Sequence, residues 1–224
     1  IDTSLKPNDI VACLQYTMVG IEFDNDYNDF YLGSCAPGGY AWVFPRGDEA
    51  NVGLGVALNK IKVGGDVKNY LDRFVAQKFP KSKIIRIVAG SVSSCAPLER
   101  TVGNGIIAVG DSARLIDPIT GGGILNACMS GIYAGEVCAK SIELKDYSER
   151  VLQDYEKLWR SKLEEKHYRN WVVKEKLSKL SDEFFNKGVE ALTGLNFERI
   201  STSELIRAVQ LRCPELLKEI EGLL

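Results

Sequence analysis

Three large rings recur at every second residue, Tyr40, Trp42 and Phe44, with Pro45 next. Side chains alternate across an extended strand, so the three rings share one face. After seven further residues Gly53 and Gly55 repeat the same spacing, on what reads as the returning strand of a hairpin. Rings beside two missing side chains make a groove suited to a flat ring or a long apolar chain. The same stripe also reads as plain sheet core, the commoner fate of aromatic residues on a strand.

A second run is Val109-Gly110-Asp111-Ser112-Ala113-Arg114-Leu115-Ile116-Asp117-Pro118-Ile119-Thr120-Gly121-Gly122-Gly123-Ile124. A buried strand Ile106–Val109 is expected to end at Gly110. Asp111 then sits at a strand's carboxyl end, where ligands bind open α/β sheets. Gly121, Gly122 and Gly123 open a helix over about 122–142. Bare amides at a helix start carry about half a positive charge and stabilise a negative group. A phosphate or an anionic reduced flavin ring would answer that description, and so would a tight turn with a buried capping aspartate. In the following helix Gly131 and Gly135 form G-x-x-x-G among other small residues. Asn126 and Glu136 argue against a membrane span, and close packing against a sheet or a cofactor is expected instead.

Other chemistries find little support. The single histidine, His167, lies between Lys166 and Arg169 and reads as a solvated helix face, so no Ser-His-Asp arrangement forms. No Walker loop is present. Asp24, Asp26 and Asp29 lack the glycine and terminal glutamate of a calcium loop and read as a polar turn. Six scattered cysteines form no C-x-x-C pair or zinc spacing, so no metal is expected and a reducing cytoplasm is. A net charge of -2 over 224 residues excludes a global basic field for nucleic acid. No stretch is apolar and long enough to span a bilayer.

These residues need elements to position them. Strands are expected at Ile10–Met18, Phe30–Gly33, Tyr40–Pro45 (stopped by its proline), Asn51–Leu58 and Ile84–Ser94. Val67, Leu71, Phe74 and Val75 predict a helix over 67–79. Residues 1–140 hold 18 of the 21 glycines, whereas residues 141–224 are charged and helical in spacing. Tyr155, Leu158, Trp159 and Trp171 form apolar stretches there, read as a helical cap or as a lid over lipid tails. The fold class is α+β, or mixed α/β: an antiparallel-sheet substrate domain over 1–100, a strand-loop-helix over 101–143 and a helical region over 144–224.

At these two runs the sequence resembles the geranylgeranyl reductases. Tyr40-Ala41-Trp42-Val43-Phe44-Pro45 followed by Gly53-Leu54-Gly55, preceded by Ala36-Pro37-Gly38-Gly39, is similar to their Y-x-W-x-F-P…G-x-G signature. Gly110-Asp111…Asp117-Pro118…Gly121-Gly122-Gly123-Ile124 resembles the second FAD motif of the same flavoproteins, shared with para-hydroxybenzoate-hydroxylase-type enzymes. Together the motifs span 36–124. The resemblance implies that Gly110, Asp111, Pro118, Gly121, Gly122, Gly123 and Ile124 bind FAD. In that scheme Asp111 holds the ribityl hydroxyls, and Gly123 and Ile124 offer backbone groups to the isoalloxazine. It further implies that Tyr40, Trp42, Phe44, Pro45, Gly53 and Gly55 line a prenyl pocket next to the flavin.

The implied activity is FAD-dependent reduction of C=C bonds in geranylgeranyl chains, with hydride from reduced FAD and a proton donor left unassigned. The implied partners are a prenylated glycerolipid, an unidentified electron donor and peripheral contact with the membrane, in a cytoplasmic protein. The sequence departs from the family by lacking the Rossmann G-x-G-x-x-G, since Gly103-Asn104-Gly105 precedes a strand. Because the chain opens on Ile1 rather than Met, a longer parent is expected, and the fragment alone is expected to bind FAD weakly or not at all. Two alternatives stand beside this reading: another oxidoreductase or monooxygenase of the same superfamily, such as one passing electrons to a quinone, and a lipid-binding module without activity.

Overall fold

The computed structural model describes residues 1–62, 65–195, 207 and 209–215. They form two compact units, one of Ile1–Val11 with Ser91–Lys174 and one of Ala12–Gly90 with Glu175–Leu224.

The second unit is built on a five-stranded sheet. Its strands are β1 (Ile10–Val19), β2 (Asp29–Tyr31), β3 (Ala41–Arg46), β4 (Glu49–Ala57) and β5 (Lys83–Ser93), in the order β2-β3-β4-β1-β5. β2 pairs with β3 and β3 with β4, both antiparallel. The β3–β4 register runs from Ala41 opposite Leu54 to Arg46 opposite Glu49, around Gly47, which turns with φ +65°. Alternation decides the faces. Val43, Val52, Leu54 and Val56 point one way with Leu14, Tyr16 and Met18, and pack on Leu71 and Phe74 of helix α1 (Val67–Lys78). Asp66 caps that helix by accepting the Lys68 amide at 3.0 Å.

Pro45 does not stop β3, contrary to the sequence expectation. The hydrogen bond from Gly55 N–H to Tyr40 O, at 3.0 Å, makes the even positions of β3 the ones bonded to β4. Pro45 therefore aims its missing N–H away from β4, on the side where β2 has already ended at the Asp29–Val43 pair.

The first unit has its own core. Leu98, Val102, Ala108, Leu115, Val137, Leu152, Tyr155 and Trp159 are buried together. Strands β6 (Val102–Gly103) and β7 (Ile106–Ile107) form a short hairpin, followed by a 3₁₀ turn Gly110–Ala113. The expected buried strand Ile106–Val109 is thus only two residues long, and Ile106 is 55% exposed. A two-stranded ribbon buries one face: Val102 and Ile107 turn inward, Gly103 and Ile106 outward.

Helix α2 (Ile124–Leu144) starts two residues later than expected. Helix α3 (Glu149–Trp159) continues through a π-helical turn, Arg160–Glu164, into α4 (Glu165–Leu177). Its buried face is tied polar to polar. Tyr155 donates its hydroxyl to Ala108 O (2.8 Å), Trp159 its indole N–H to Thr101 Oγ1 (2.9 Å), and burial pushes the Tyr155 phenol up to about 12. Helix α5 (Asp182–Leu192) belongs to the second unit, where Asp182 accepts both the amide and the hydroxyl of Ser34 (2.7 and 2.5 Å). The part of the expected helical region at 196–206, 208 and 216–224 lies outside the described residues.

Candidate functional site

The two sets of residues singled out by the sequence fall one in each compact unit. In the sheet unit, Tyr40, Trp42, Phe44 and Pro45 are half-buried while their neighbours Ala41 and Val43 are in the core. The rings touch one another. Trp42 lies 5.8 Å from Tyr40 edge-on and 6.0 Å from Phe44 stacked, and the exposed Phe30 of β2 closes on Tyr40 and Phe44 at 5.5 and 5.4 Å. These contacts make one aromatic surface on the face opposite the α1 core.

Trp42 and Gly53 are direct cross-strand partners. A Cβ on Gly53 would lie 2.4 Å from Trp42 Cζ2 and 2.8 Å from Leu14 O. The space next to Gly53 is therefore filled by the Trp42 indole, a correction to the expected open gap. Gly53 lets the ring lie flat on the backbone, and Gln15 Oε1 fixes it by accepting the indole N–H at 3.1 Å. The backbone of Gly55 is approached as closely, since a Cβ on Gly39 would meet Gly55 O at 2.2 Å. On the same sheet Thr17 Oγ1 donates to Asn51 Oδ1 (3.1 Å). Burial raises the Tyr40 phenol, with Cys13 adding to the shift, and burial also raises the Cys13 and Cys35 thiols.

In the other unit, the loop from Gly110 to Ile124 is drawn together by its own backbone. Gly110 has φ +52°, and a Cβ there would come within 2.9 Å of the Ala127 methyl, so only glycine lets the turn lie against α2. Its amide donates to Ser130 Oγ (3.0 Å). Asp117 is the hub of the loop. Its Oδ1 accepts the amides of Ile119 and Thr120 (3.0 and 3.1 Å), its N–H donates to Gly122 O and its O accepts from Gly121 N–H, both at 2.9 Å. Burial opposes ionisation of Asp117, but the amides of Thr120 and Ile119, together with the side chains of Asn170 and Thr120, outweigh it and hold the carboxyl below its ordinary value. Pro118 is buried, and its carbonyl accepts the Ser94 hydroxyl (3.0 Å).

Gly121, Gly122 and Ile124 are exposed, as is Asp111, whose carboxylate accepts no hydrogen bond among the described residues. The first helical bond at this end runs from Ala127 N–H to Gly123 O (2.8 Å), which leaves the amides of Ile124, Leu125 and Asn126 ahead of the ladder. A Cβ on Gly123 would sit 3.1 Å from Asp111 Oδ1. Bare amides beside an unengaged carboxylate, with no side chain between them, are a donor and acceptor set that fits the ring end of a flavin. The small face of α2 is open rather than closely packed, for nothing described lies within 4 Å of a Cβ at Gly131 or Gly135.

Sequence reasoning placed His167 on a solvated face, and the structure corrects this: the residue is 4% exposed. Nε2 lies 2.8 Å from Ile116 O, and three residues on Asn170 donates to Asp117 Oδ2 at 2.7 Å. The signal was the i, i+3 spacing of two polar residues capable of holding a loop, hidden by the charges on either side.

Residues 9–92 match the model of the geranylgeranyl reductase catalytic domain. The chain is 48% identical over 223 residues to the digeranylgeranylglycerophospholipid reductase of Picrophilus torridus, covering 98% of this chain and 56% of that protein. The reductase of the same name from Thermoplasma volcanium gives the same identity and coverage. Over nearly its whole length the chain is similar to geranylgeranyl reductases. It spans about half the length of the curated relatives it matches.

A crystal structure of a geranylgeranyl bacteriochlorophyll reductase-like protein from Thermoplasma acidophilum superposes with a TM-score of 0.89 at 45% identity, over 100% of this chain and 57% of that one. The halogenase PltM in complex with phloroglucinol and FAD matches with a TM-score of 0.58 at 10% identity, over 96% and 47% of the two chains. The latter shares the fold alone. The α+β class and the resemblance to geranylgeranyl reductases stand on these comparisons.

Proposed function

We propose that this chain is part of an FAD-dependent reductase that saturates C=C bonds of geranylgeranyl chains on membrane glycerolipids. The observation that carries the reading is the aromatic surface of Tyr40, Trp42 and Phe44 over Gly53, inside the segment matched by the catalytic-domain family. Relatives named digeranylgeranylglycerophospholipid reductase support the substrate class.

The residues divide the work. The aromatic surface, with Pro45 and the backbone of Gly55, would bind a prenyl chain by apolar contact and exclude water from it. Gln15 keeps Trp42 flat, so the surface is in place before a substrate arrives. Asp111 would accept ribityl hydroxyls. The amides of Gly123 and Ile124, with Gly121, Gly122 and the turn of Gly110 and Pro118, would hold the flavin's ring end. Bound FAD would supply the hydride equivalent, recharged by a separate electron donor. Tyr40 and Cys35 keep their protons through the neutral range because burial raises both groups. Among the described residues no helix is long and apolar enough to cross a membrane. On the substrate class alone, the proposal places the protein in the cytoplasm, meeting its lipid at the bilayer surface.

The test is the visible spectrum of this chain and of a longer parent, each mixed with FAD and gel-filtered, followed by reduction of a geranylgeranyl glycerolipid. Flavin absorbance on the longer form, with loss of lipid double bonds, is expected. Absence of flavin from both, or a loaded parent that leaves the lipid unsaturated, overturns the reading.

A further inference from the structure

The Gly110–Ile124 loop has a backing that its own sequence does not contain. Two side chains of α4 reach it from one helical face. His167 is buried and its Nε2 stands 2.8 Å from Ile116 O; Asn170, one turn on, donates to Asp117 Oδ2 at 2.7 Å. Both contacts lie inside the first unit. They grip adjacent residues, Ile116 and Asp117, with three residues between Asp117 and the triple glycine. Asp117 in turn holds the amides of Ile119 and Thr120 and closes on Gly121 and Gly122 through its backbone. From the opposite side, Asn126 of α2 donates to Leu115 O (2.7 Å).

A neutral imidazole can donate from one nitrogen only, and a carbonyl can only accept, so the Nε2–H tautomer is the one that satisfies Ile116 O. Nδ1 is buried and makes no hydrogen bond of normal geometry among the described residues. A buried polar ring left half unsatisfied costs stability, and its one bond, to Ile116 O, offsets part of that cost. Glycines do not hold a loop in shape by themselves, because they have the most freedom to lose.

We infer that His167 and Asn170 are positioning residues for the flavin loop: they hold Ile116 O and the Asp117 carboxylate so that Gly121–Gly123 and the first amides of α2 keep one arrangement. This inference rests on the flavin reading of that loop.

The test has one readout without flavin and one with it. In ¹⁵N–¹H spectra of the chain, His167→Leu and Asn170→Leu should each shift the amides of Ile119, Thr120 and Gly121–Gly123, while amides of α1 stay in place. His167→Gln, whose side-chain amide can donate as Nε2 does, should restore the wild-type positions. In the flavin-loaded form, each leucine variant should bind FAD roughly tenfold more weakly, the loss of one buried hydrogen bond's worth of ordering, and His167→Gln should bind near wild type. Folded leucine variants with unmoved loop amides overturn the inference, as does a His167→Gln variant as disturbed as His167→Leu, which would make the ring mere packing. If His167→Leu does not fold, the less buried Asn170→Leu decides. If the wild-type protein binds no FAD while the loop amides respond as stated, the flavin reading falls and the clamp on the loop stands.

Discussion

His167 is costly to bury and yet is tied into the loop by its ring. Burial lowers its pKa from the ordinary 6.5, against the carbonyls of Ile116 and Arg114 and the Asp117 carboxylate, which all favour the charged ring. A histidine whose folded pKa is depressed contributes stability above its unfolded value, and that contribution is lost as pH falls through the folded value. The chain should therefore lose stability as pH drops below 6.5, and His167→Gln should flatten that part of the profile. Asp117 is held below 3.8, so the loss from its protonation comes further down and can be told apart. Urea unfolding followed across this range is the measurement. A wild-type profile that stays level below 6.5 would place the ring in water after all.

At the scale of elements, the β3–β4 hairpin leaves no room for a side chain at Gly53. Gly53→Ala would put a methyl 2.4 Å from Trp42 and 2.8 Å from the Leu14 carbonyl. The backbone oxygen cannot step aside as a side chain can, so the indole must lift and lose Gln15. We expect a loss of about 1–3 kcal/mol, typical of overpacking, seen in urea unfolding together with a shift of Trp42 fluorescence. Much of this hairpin was legible in the sequence, because a period of two assigns Tyr40, Trp42 and Phe44 to one face whatever lies beyond it. What lay beyond was not legible. Spacing names a face but not its partner, so the ring that fills the space at Gly53 and the Gln15 that pins it appear only when β1, β3 and β4 are neighbours. The loop shows the same division. Its glycines and Asp111 stood out by type, whereas His167 and Asn170, 43 residues or more past Ile124, were masked by Lys166 and Arg169.

On the scale of the whole molecule, two compact units each close a core of their own, and the chain passes from one to the other within β1, β5 and α4. Long regular elements therefore carry residues of both units, and their winding matters over many turns. In a regular α-helix Trp159 and His167, eight residues apart, would point about 80° away from each other. Both are buried in the first unit. The π turn Arg160–Glu164 between them winds more slowly and brings them back toward one direction. That turn holds one residue more than an α-helix would need to span the same gap. One residue could therefore be removed within this turn while the helix keeps its phase. Deletion of the exposed Ser161 should leave a plain α-helix with His167 still on the Ile116 carbonyl, its ring-nitrogen spectrum and melting temperature close to wild type. Deletion of the exposed Gln153 within α3 should swing everything after it by about 100° and abolish both. Equal damage from the two deletions would show that the extra residue is structural rather than surplus; unequal damage would mark Arg160–Glu164 as an absorbed insertion, a place where relatives can differ in length without differing in site.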